Sequence, residues 1–171
     1  MREIVAEHDG PADPDIAFLH ADYRSDLDLP DDHFDLLVSL YAGFITEHCT
    51  RHLRVGGALL ANPSHGDAAM ASIDPRYELA GVVDAGGGRY RVSRNDLDTY
   101  LIPKKQQLVT VETLRESGRG VGYTKSPFAY LFSRNRAHRQ LRFASTALTS
   151  RSKTASGCPM PLMTSRRFWS P

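Results

Sequence analysis

A histidine and a carboxylate two residues apart, His65 and Asp67, are the residues of this sequence best suited to acid–base chemistry. An imidazole can accept a proton near neutral pH, and a nearby carboxylate can orient it. Asn62 and Ser64 precede them and offer an amide and a hydroxyl to a substrate. We therefore predict that His65 and Asp67 are catalytic and that Asn62 and Ser64 bind substrate. The alternative is that Ser64 and Asp67 only cap a helix predicted over Ala68–Ile73.

A second group of interest follows an apolar run and begins with Tyr41. The ring of Tyr41 could stack on a planar ligand while its hydroxyl donates a hydrogen bond. The small residues Ala42 and Gly43 would leave space for a close approach. The alternative is an aromatic side chain that packs over the strand ends, and the sequence leaves both possibilities open.

The segments around these residues predict a strand, a helix and a second strand. Phe34–Leu40 is a short, nearly continuous apolar run, which is typical of a buried parallel strand, and Ala58–Ala61 is another. Between them, one apolar helical stripe is formed by Ile45, Cys49, His52 and Leu53. Gly56 and Gly57 are expected to end that helix. In such a unit the strands are parallel, so Tyr41 and Asn62 should lie at the same edge of the sheet.

The sequence from Phe18 to Asn62 resembles the central part of a class I S-adenosylmethionine-dependent methyltransferase. The resemblance is carried by an acidic residue at a strand end, Asp22, by an acidic loop, Asp31–Asp35, and by a Leu, basic, Gly-Gly pattern in Leu53–Gly57. It implies an α/β fold with a truncated Rossmann-like methyltransferase sheet. In that sheet, parallel strands are followed by an antiparallel hairpin and a final antiparallel strand.

The resemblance also implies a cofactor and a set of residues that bind it. The cofactor would be S-adenosylmethionine, with no metal, and the methyl acceptor is not identified. The residues that would bind the cofactor are Asp22, Tyr23, Leu40, Tyr41 and Ala42. In the family the acidic residue at the position of Asp22 lies near the adenine amine. The alternative for Asp22 is that it caps the turn that follows it.

The glycine-rich turn that would bind the cofactor after a first strand is missing from this chain. Only fifteen residues precede the predicted strand Ile16–Ala21, and Gly10 is the one glycine among them. They are interpreted as the last turns of a helix, so the chain resembles a methyltransferase entered part-way through. We expect Ile16–Ala21 to pair directly with Phe34–Leu40. A catalytically dead remnant that acts as an interaction module is therefore an alternative function.

The remaining pattern predicts a mixed continuation of the sheet. Tyr77–Val83 and Arg89–Val92 flank three glycines and predict an antiparallel hairpin. The aromatic run Phe128–Phe132 predicts a final antiparallel strand at the sheet edge. Two helical stretches are predicted before it, one over Asp96–Tyr100 and one from Thr110 to Gly118.

Charge divides the chain although the formal net charge is only +1. Met1–Thr50 holds 12 acidic and 2 basic residues, whereas Lys104–Pro171 holds 2 acidic and 13 basic residues. We predict an incomplete methyltransferase domain over residues 1–133 and a basic, disordered tail over residues 134–171. The tail could contact nucleic acid weakly, which is a third possible function. Two cysteines provide no disulfide framework, and no apolar run is long enough for a membrane helix, so we expect a cytoplasmic location.

Overall fold

The computed structural model describes residues 10–136 and, before them, Val5, Glu7 and His8. These residues belong to one compact unit, which runs from Met1 to Arg139. Val5 and Glu7 are helical and His8 forms a turn, and the other residues of the helical remnant predicted before Gly10 lie outside the described residues. The predicted tail also lies outside them, apart from residues 134–136.

Five strands and three short α-helices make up the described part of the chain. In chain order they are β1 (Phe34–Ser39), α1 (Ile45–Cys49), a 3-10 turn (Thr50–His52), β2 (Leu53–Ala61), α2 (Asp67–Ile73), β3 (Tyr77–Gly86), β4 (Arg89–Ser93), a 3-10 turn (Leu97–Leu101), α3 (Val111–Ser117) and β5 (Ala129–Arg134). None of the helices in this part of the chain is long and apolar enough to cross a membrane.

The strands form one mixed sheet in the order β1-β2-β5-β3-β4. Strands β1 and β2 are parallel, β3 and β4 form an antiparallel hairpin, and β5 is antiparallel to both of its neighbours. The predicted α/β class, the parallel pair, the hairpin and the final antiparallel strand are therefore confirmed. The predicted edge position of the last strand is wrong, because β5 lies between β2 and β3.

The central position of β5 follows from its side chains. Tyr130 and Phe132 are fully buried and nearly stacked, with ring centroids 6.3 Å apart. They share one core with Leu59 of β2, with Leu114 of α3 and with four residues of α2, Ala68, Ala69, Met70 and Ala71. Because a strand that buries two large aromatic rings needs apolar neighbours on both sides, an edge position would leave part of this surface in water.

The glycines Gly56 and Gly57 do not end a helix but lie inside β2. The helix α1 ends at Cys49, and the 3-10 turn after it leads directly into the strand. Gly56 has φ of +81°, and a Cβ on Gly57 would lie 2.8 Å from the carbonyl oxygen of Arg54. The pairing of β1 with β2 is irregular at this point. The two glycines therefore allow β2 to kink at this point. Glycine is common at such irregular positions within a strand.

The predicted strand Ile16–Ala21 is not a strand, and its expected pairing with β1 is wrong. Phe18 is 87% exposed, and β1, which was predicted to be a buried strand, is an edge strand on which Leu36 and Val38 remain about half exposed. The reason lies in the connection of residues 23–33, which contains turns and no helix. A parallel crossover normally needs a dozen or more residues, so this connection is too short to place the two segments side by side.

The helix α3 begins and ends where the sequence indicates. Thr110 precedes it, and its hydroxyl accepts a hydrogen bond from the backbone N–H of Thr113 at 3.2 Å. The Thr113 hydroxyl accepts one in return from the backbone N–H of Thr110 at 3.0 Å. Gly118 ends the helix with φ of +58°. This reciprocal capping and the left-handed glycine satisfy backbone groups that the helix itself leaves unpaired.

Candidate functional site

Three loops meet beyond the carboxyl ends of β1 and β2. The Tyr23 hydroxyl donates a hydrogen bond to the carbonyl oxygen of Gly43 at 2.8 Å. The backbone N–H of Tyr41 donates to the side-chain oxygen of Asn62 at 3.2 Å. The backbone N–H of Asn62 donates in turn to the carbonyl oxygen of Ser39 at 3.2 Å, which extends the parallel pairing by one step. The structure thus brings together loops that are about 20 residues apart in sequence.

Asn62 joins these loops from a buried position. Its side chain is 3% exposed, and its oxygen also accepts a hydrogen bond from the Ser64 hydroxyl at 2.9 Å. Because both hydrogen bonds on this oxygen come from the protein itself, Asn62 positions Tyr41 and Ser64. Its predicted role as a substrate-binding residue stays a prediction, and the side chain that reaches the surface beside it is that of Ser64.

Tyr41 stands out from the surface at the end of β1. It is 67% exposed and has φ of +58°, a left-handed conformation that is costly for a residue other than glycine. One of the two interpretations of the sequence required the Tyr41 ring to pack over the strand ends. The ring is exposed instead, so that interpretation is wrong. Leu40 and Ala42 on either side are partly buried. The backbone is therefore held in an unfavourable conformation that presents an aromatic ring to solvent.

Asp22 caps the turn that follows it, as the alternative interpretation of the sequence predicted. Its carboxylate accepts hydrogen bonds from the guanidinium of Arg24, at 2.9 Å between Nη2 and Oδ2, and from the Arg24 backbone N–H at 3.0 Å. Both interactions hold the pKa of Asp22 below its usual value. The side chain remains 51% exposed, so its oxygens can still accept a further hydrogen bond.

The neighbouring Tyr23 packs against a residue that the sequence did not single out. The rings of Tyr23 and His48 meet edge to face with centroids 5.9 Å apart. His48 lies on the last turn of α1 and is partly buried. It falls outside the apolar stripe of that helix, so the pattern of apolar residues gave no signal for it. This contact and the hydrogen bond to Gly43 fix Tyr23 at the meeting point of the loops.

The predicted pairing of His65 with Asp67 does not occur. One oxygen of Asp67 accepts hydrogen bonds from the backbone N–H of Thr46 at 3.0 Å and from its hydroxyl, and the other oxygen has no hydrogen-bond partner among the described residues. The side chain is fully buried. Gly66, with φ of +90°, is the N-cap of α2 and turns Asp67 inward. The proposed caps Ser64 and Asp67 are wrong as well, because no side chain caps this helix.

His65 instead interacts with Ser64 at the surface. The distance between the Ser64 hydroxyl oxygen and the imidazole Nδ1 is 2.8 Å. Because that hydroxyl has one hydrogen and donates it to Asn62, Nδ1 must carry the proton that His65 donates to Ser64. The neutral imidazole then has its lone pair on Nε2, which can accept a proton. Ser64 and Asn62 thus orient the histidine, a role that the sequence had assigned to Asp67.

A fourth loop, residues 119–122, packs against the loop that follows β2 and carries His65. The backbone N–H of Gly120 donates to the carbonyl oxygen of Ser64 at 3.3 Å. A Cβ on Gly120 would lie 1.7 Å from the carbonyl oxygen of Pro63. The sequence placed Gly120 only in the approach to the last strand. A glycine followed by a second glycine two residues later was a weak signal for this close contact.

Beneath the site, Asp67 belongs to a buried group of polar side chains. The Thr50 hydroxyl lies 2.8 Å from that of Tyr77 and donates to the backbone carbonyl of Thr46. Burial raises the pKa of Tyr77, and burial together with the nearby Asp67 carboxylate raises the pKa of the Cys49 thiol. Cys49 is therefore a poor nucleophile, because the thiolate is the reactive form.

Replacing Asp67 with alanine should lower the free energy of unfolding by about 1–3 kcal/mol. The substitution leaves the N–H and hydroxyl of Thr46 without their buried acceptor. Urea denaturation at pH 7 measures the loss. The control is Asp28→Ala, an exposed aspartate, which should change the value by no more than about 0.5 kcal/mol. Equal effects of the two substitutions would contradict a structural role for Asp67.

The described residues offer no group of three or more His, Cys, Asp or Glu side chains that could hold a metal ion. Comparison with known proteins adds no further assignment: no family model, no curated protein and no solved structure matches the chain.

Proposed function

We propose that this protein binds S-adenosylmethionine at the meeting point of the loops after β1 and β2 and transfers its methyl group to an acceptor. The observation that carries the proposal is the convergence of Tyr23, Tyr41 and Asn62 beyond the ends of parallel strands. Ligands of open α/β sheets bind at this edge. A parallel pair, an antiparallel hairpin and an antiparallel final strand are also elements that the resemblance to class I methyltransferases implies.

The exposed groups at this edge fit the adenine end of the cofactor. The ring of Tyr41 offers a face for stacking, and the half-exposed carboxylate of Asp22 offers an acceptor for the adenine amine. Tyr23 is fixed by Gly43 and His48, and Leu40 and Ala42 supply backbone beside the ring. In the described part of the chain, no glycine-rich turn follows a strand near this edge. The cofactor would therefore be bound without such a turn by Asp22, Tyr23, Leu40, Tyr41 and Ala42.

On the acceptor side, His65 is the residue placed to take up a proton. S-adenosylmethionine supplies an electrophilic methyl group when bound. The Nε2 lone pair of His65 would take the proton that the acceptor loses, while Ser64 and Asn62 hold the ring. Positioning of the acceptor also contributes to the rate, because the two reacting groups are then already close together. Asp67 has no part in this step, because it is buried against Thr46.

Isothermal titration of the full chain with S-adenosylmethionine tests the proposal. We expect a dissociation constant in the micromolar range and a weakening of roughly ten-fold or more in Tyr41→Ala, because stacking on an aromatic ring contributes about 1–3 kcal/mol. Tyr90→Ala is a matched control, since Tyr90 is also 67% exposed but lies on β4. Absence of heat at millimolar ligand would overturn the proposal, and equal weakening in both variants would overturn the role of Tyr41.

One observation favours the second candidate, a catalytically inert interaction module. Among the described residues, the edge strand β1 pairs on one side only and leaves Leu36 and Val38 about half exposed. An exposed apolar edge strand can pair with another chain. Such a module would bind a protein partner without binding S-adenosylmethionine. The third candidate, nucleic-acid binding through residues 134–171, stays a prediction. It would be detected as RNA binding whose affinity falls as the salt concentration rises.

A further inference from the structure

Two adjoining cavities lie on the outer side of the loop 119–122. One, of about 270 Å³, is lined in part by Gln107, Thr113, Ser117 and Arg119. The other, of about 260 Å³, is lined by Lys104, Lys105, Gln107 and Gly122. Because Gln107 lines both of them, the two cavities border each other. Together they present three cationic side chains and one amide, and no carboxylate lines either of them.

The three cations are not neutralised by the part of the chain that the structure describes. Most arginines of this part form ion pairs, for example Arg115 with Glu47 and Arg134 with Asp32. Lys104, Lys105 and Arg119 form none with the described residues. The helix α3, which lines the first cavity, carries two carboxylates, Glu112 and Glu116, and neither lines a cavity. Glu112 is engaged at the helix start, where hydrogen bonds from its own backbone N–H and from Thr110 lower its pKa. A ligand of opposite charge would therefore complement this surface.

The polar side chains between the cations divide into engaged and available groups. The Ser117 hydroxyl donates to the carbonyl oxygen of Leu114 at 3.1 Å, and the Thr113 hydroxyl belongs to the capping of α3. The Gln107 amide, by contrast, has no hydrogen-bond partner among the described residues, and it can donate two hydrogen bonds. The groups ready to bind are thus three cations and one amide donor, a set that matches a phosphate better than a neutral ligand.

The wall of the first cavity is in direct contact with the loop that carries His65. Arg119 and Gly120 line this cavity. Gly120 donates its backbone hydrogen bond to Ser64, the residue that orients His65. A Cβ on Gly66 would lie 3.2 Å from the carbonyl oxygen of Arg119. A ligand anchored in the cavities would therefore be bound next to the proposed acceptor side of the site.

We propose that Lys104, Lys105, Arg119 and Gln107 form a binding site for the phosphate group of a small phosphorylated molecule, and that this molecule is the methyl acceptor. The phosphate site follows from the cavities and their charges alone, whereas its assignment to the acceptor rests on the proposed methyl transfer. Three positive charges favour a doubly charged phosphate over a singly charged carboxylate. Arg119 is expected to contribute most to orientation, because its planar guanidinium can donate two parallel hydrogen bonds.

Titration of the ¹⁵N-labelled full chain with inorganic phosphate tests the site residue by residue. We expect amide shifts at Gln107, Arg119 and Gly122, saturating with a dissociation constant in the millimolar range, and much smaller shifts with sodium acetate at equal ionic strength. A residue-resolved readout separates this site from the basic residues 137–171. Absence of shifts at these three amides, or equal shifts with acetate, would overturn the proposed phosphate site.

Matched charge variants complete the test. Lys104→Gln with Lys105→Gln should weaken phosphate binding at least ten-fold, and Arg119→Gln should do the same. The control, Arg91→Gln with Arg94→Gln, removes the same charge from the region of β4 and should leave binding unchanged. Equal weakening in the control would overturn the site. These titrations contain no S-adenosylmethionine, so they test the phosphate site independently of cofactor binding. If the protein shows these shifts but fails to bind S-adenosylmethionine, the phosphate site stands and only its assignment to the methyl acceptor is overturned.

Discussion

Replacing Phe132 with alanine should lower the free energy of unfolding by about 3–5 kcal/mol, the largest effect that we expect from a single substitution in the described residues. Phe132 is 1% exposed and lies on β5 at the centre of the sheet. It is opposite Leu59 of β2 on one side and Leu79 of β3 on the other. Its ring meets that of Tyr77 edge to face at 6.3 Å. Truncation therefore leaves a cavity that is bordered by three strands.

Urea denaturation followed by circular dichroism measures this loss, and Leu131→Ala is the matched control. Leu131 is the preceding residue of β5, so its side chain lies on the opposite face of the sheet, where it is only partly buried. We expect its substitution to cost less than half as much as that of Phe132. If the two substitutions cost the same, the core does not lie on the face of the sheet that packs against α2 and α3.

The parts of the fold that could be predicted are those whose signals are local. Phe34–Leu40 is apolar over the length of a strand, and β1 lies within it. The three glycines after Ala85 required a tight turn, and β3 and β4 flank it. Thr110 and Gly118 marked both ends of α3 correctly. In each case, a few neighbouring residues determine the backbone, so the surrounding fold is not needed to recognise the element.

The parts that were missed depend on contacts between distant segments. The apolar run Ile16–Ala21 has the composition of a strand, but a strand forms only where a partner can be reached, and its connection to β1 is too short. The central position of β5 is likewise set by partners that are at least 46 residues away in sequence, the separation of Val83 and Ala129. Strand composition thus indicated which segments could enter a sheet, but not their order.

The candidate site shows the same division at the level of side chains. The meeting of Tyr41 and Asn62 followed from the parallel arrangement of β1 and β2, because the carboxyl ends of parallel strands share one edge. Tyr23 reaches the same place through its hydrogen bond to Gly43, although the segment before it is not the predicted strand. The direction of the Asp67 side chain could not follow from its spacing to His65. It depends on the left-handed backbone of Gly66 and on the two hydrogen-bond donors of Thr46, 21 residues earlier. Spacing in sequence places two residues near each other, but the backbone dihedrals between them decide whether their side chains meet.

Replacing Gly120 with alanine should displace the loop that carries His65 and should lower the free energy of unfolding by about 3 kcal/mol, the upper part of the usual range for overpacking. The added Cβ would lie 1.7 Å from the carbonyl oxygen of Pro63 and 2.9 Å from its carbonyl carbon. Both are backbone atoms, so no rotation of a side chain can relieve the overlap. Either the loop 119–122 or the loop after β2 must move, and the hydrogen bond from Gly120 to Ser64 is lost.

The matched control for Gly120→Ala is Gly122→Ala, two residues later in the same loop. A Cβ on Gly122 would meet no atom within 4 Å. Urea denaturation should therefore show a large loss for the first variant and almost none for the second. Amide shifts of Ser64 and His65 should change only in Gly120→Ala, because only that substitution moves the backbone that orients the imidazole. Equal stability of the two variants would mean that the loops do not touch, and the physical link between the phosphate cavities and His65 would then be absent.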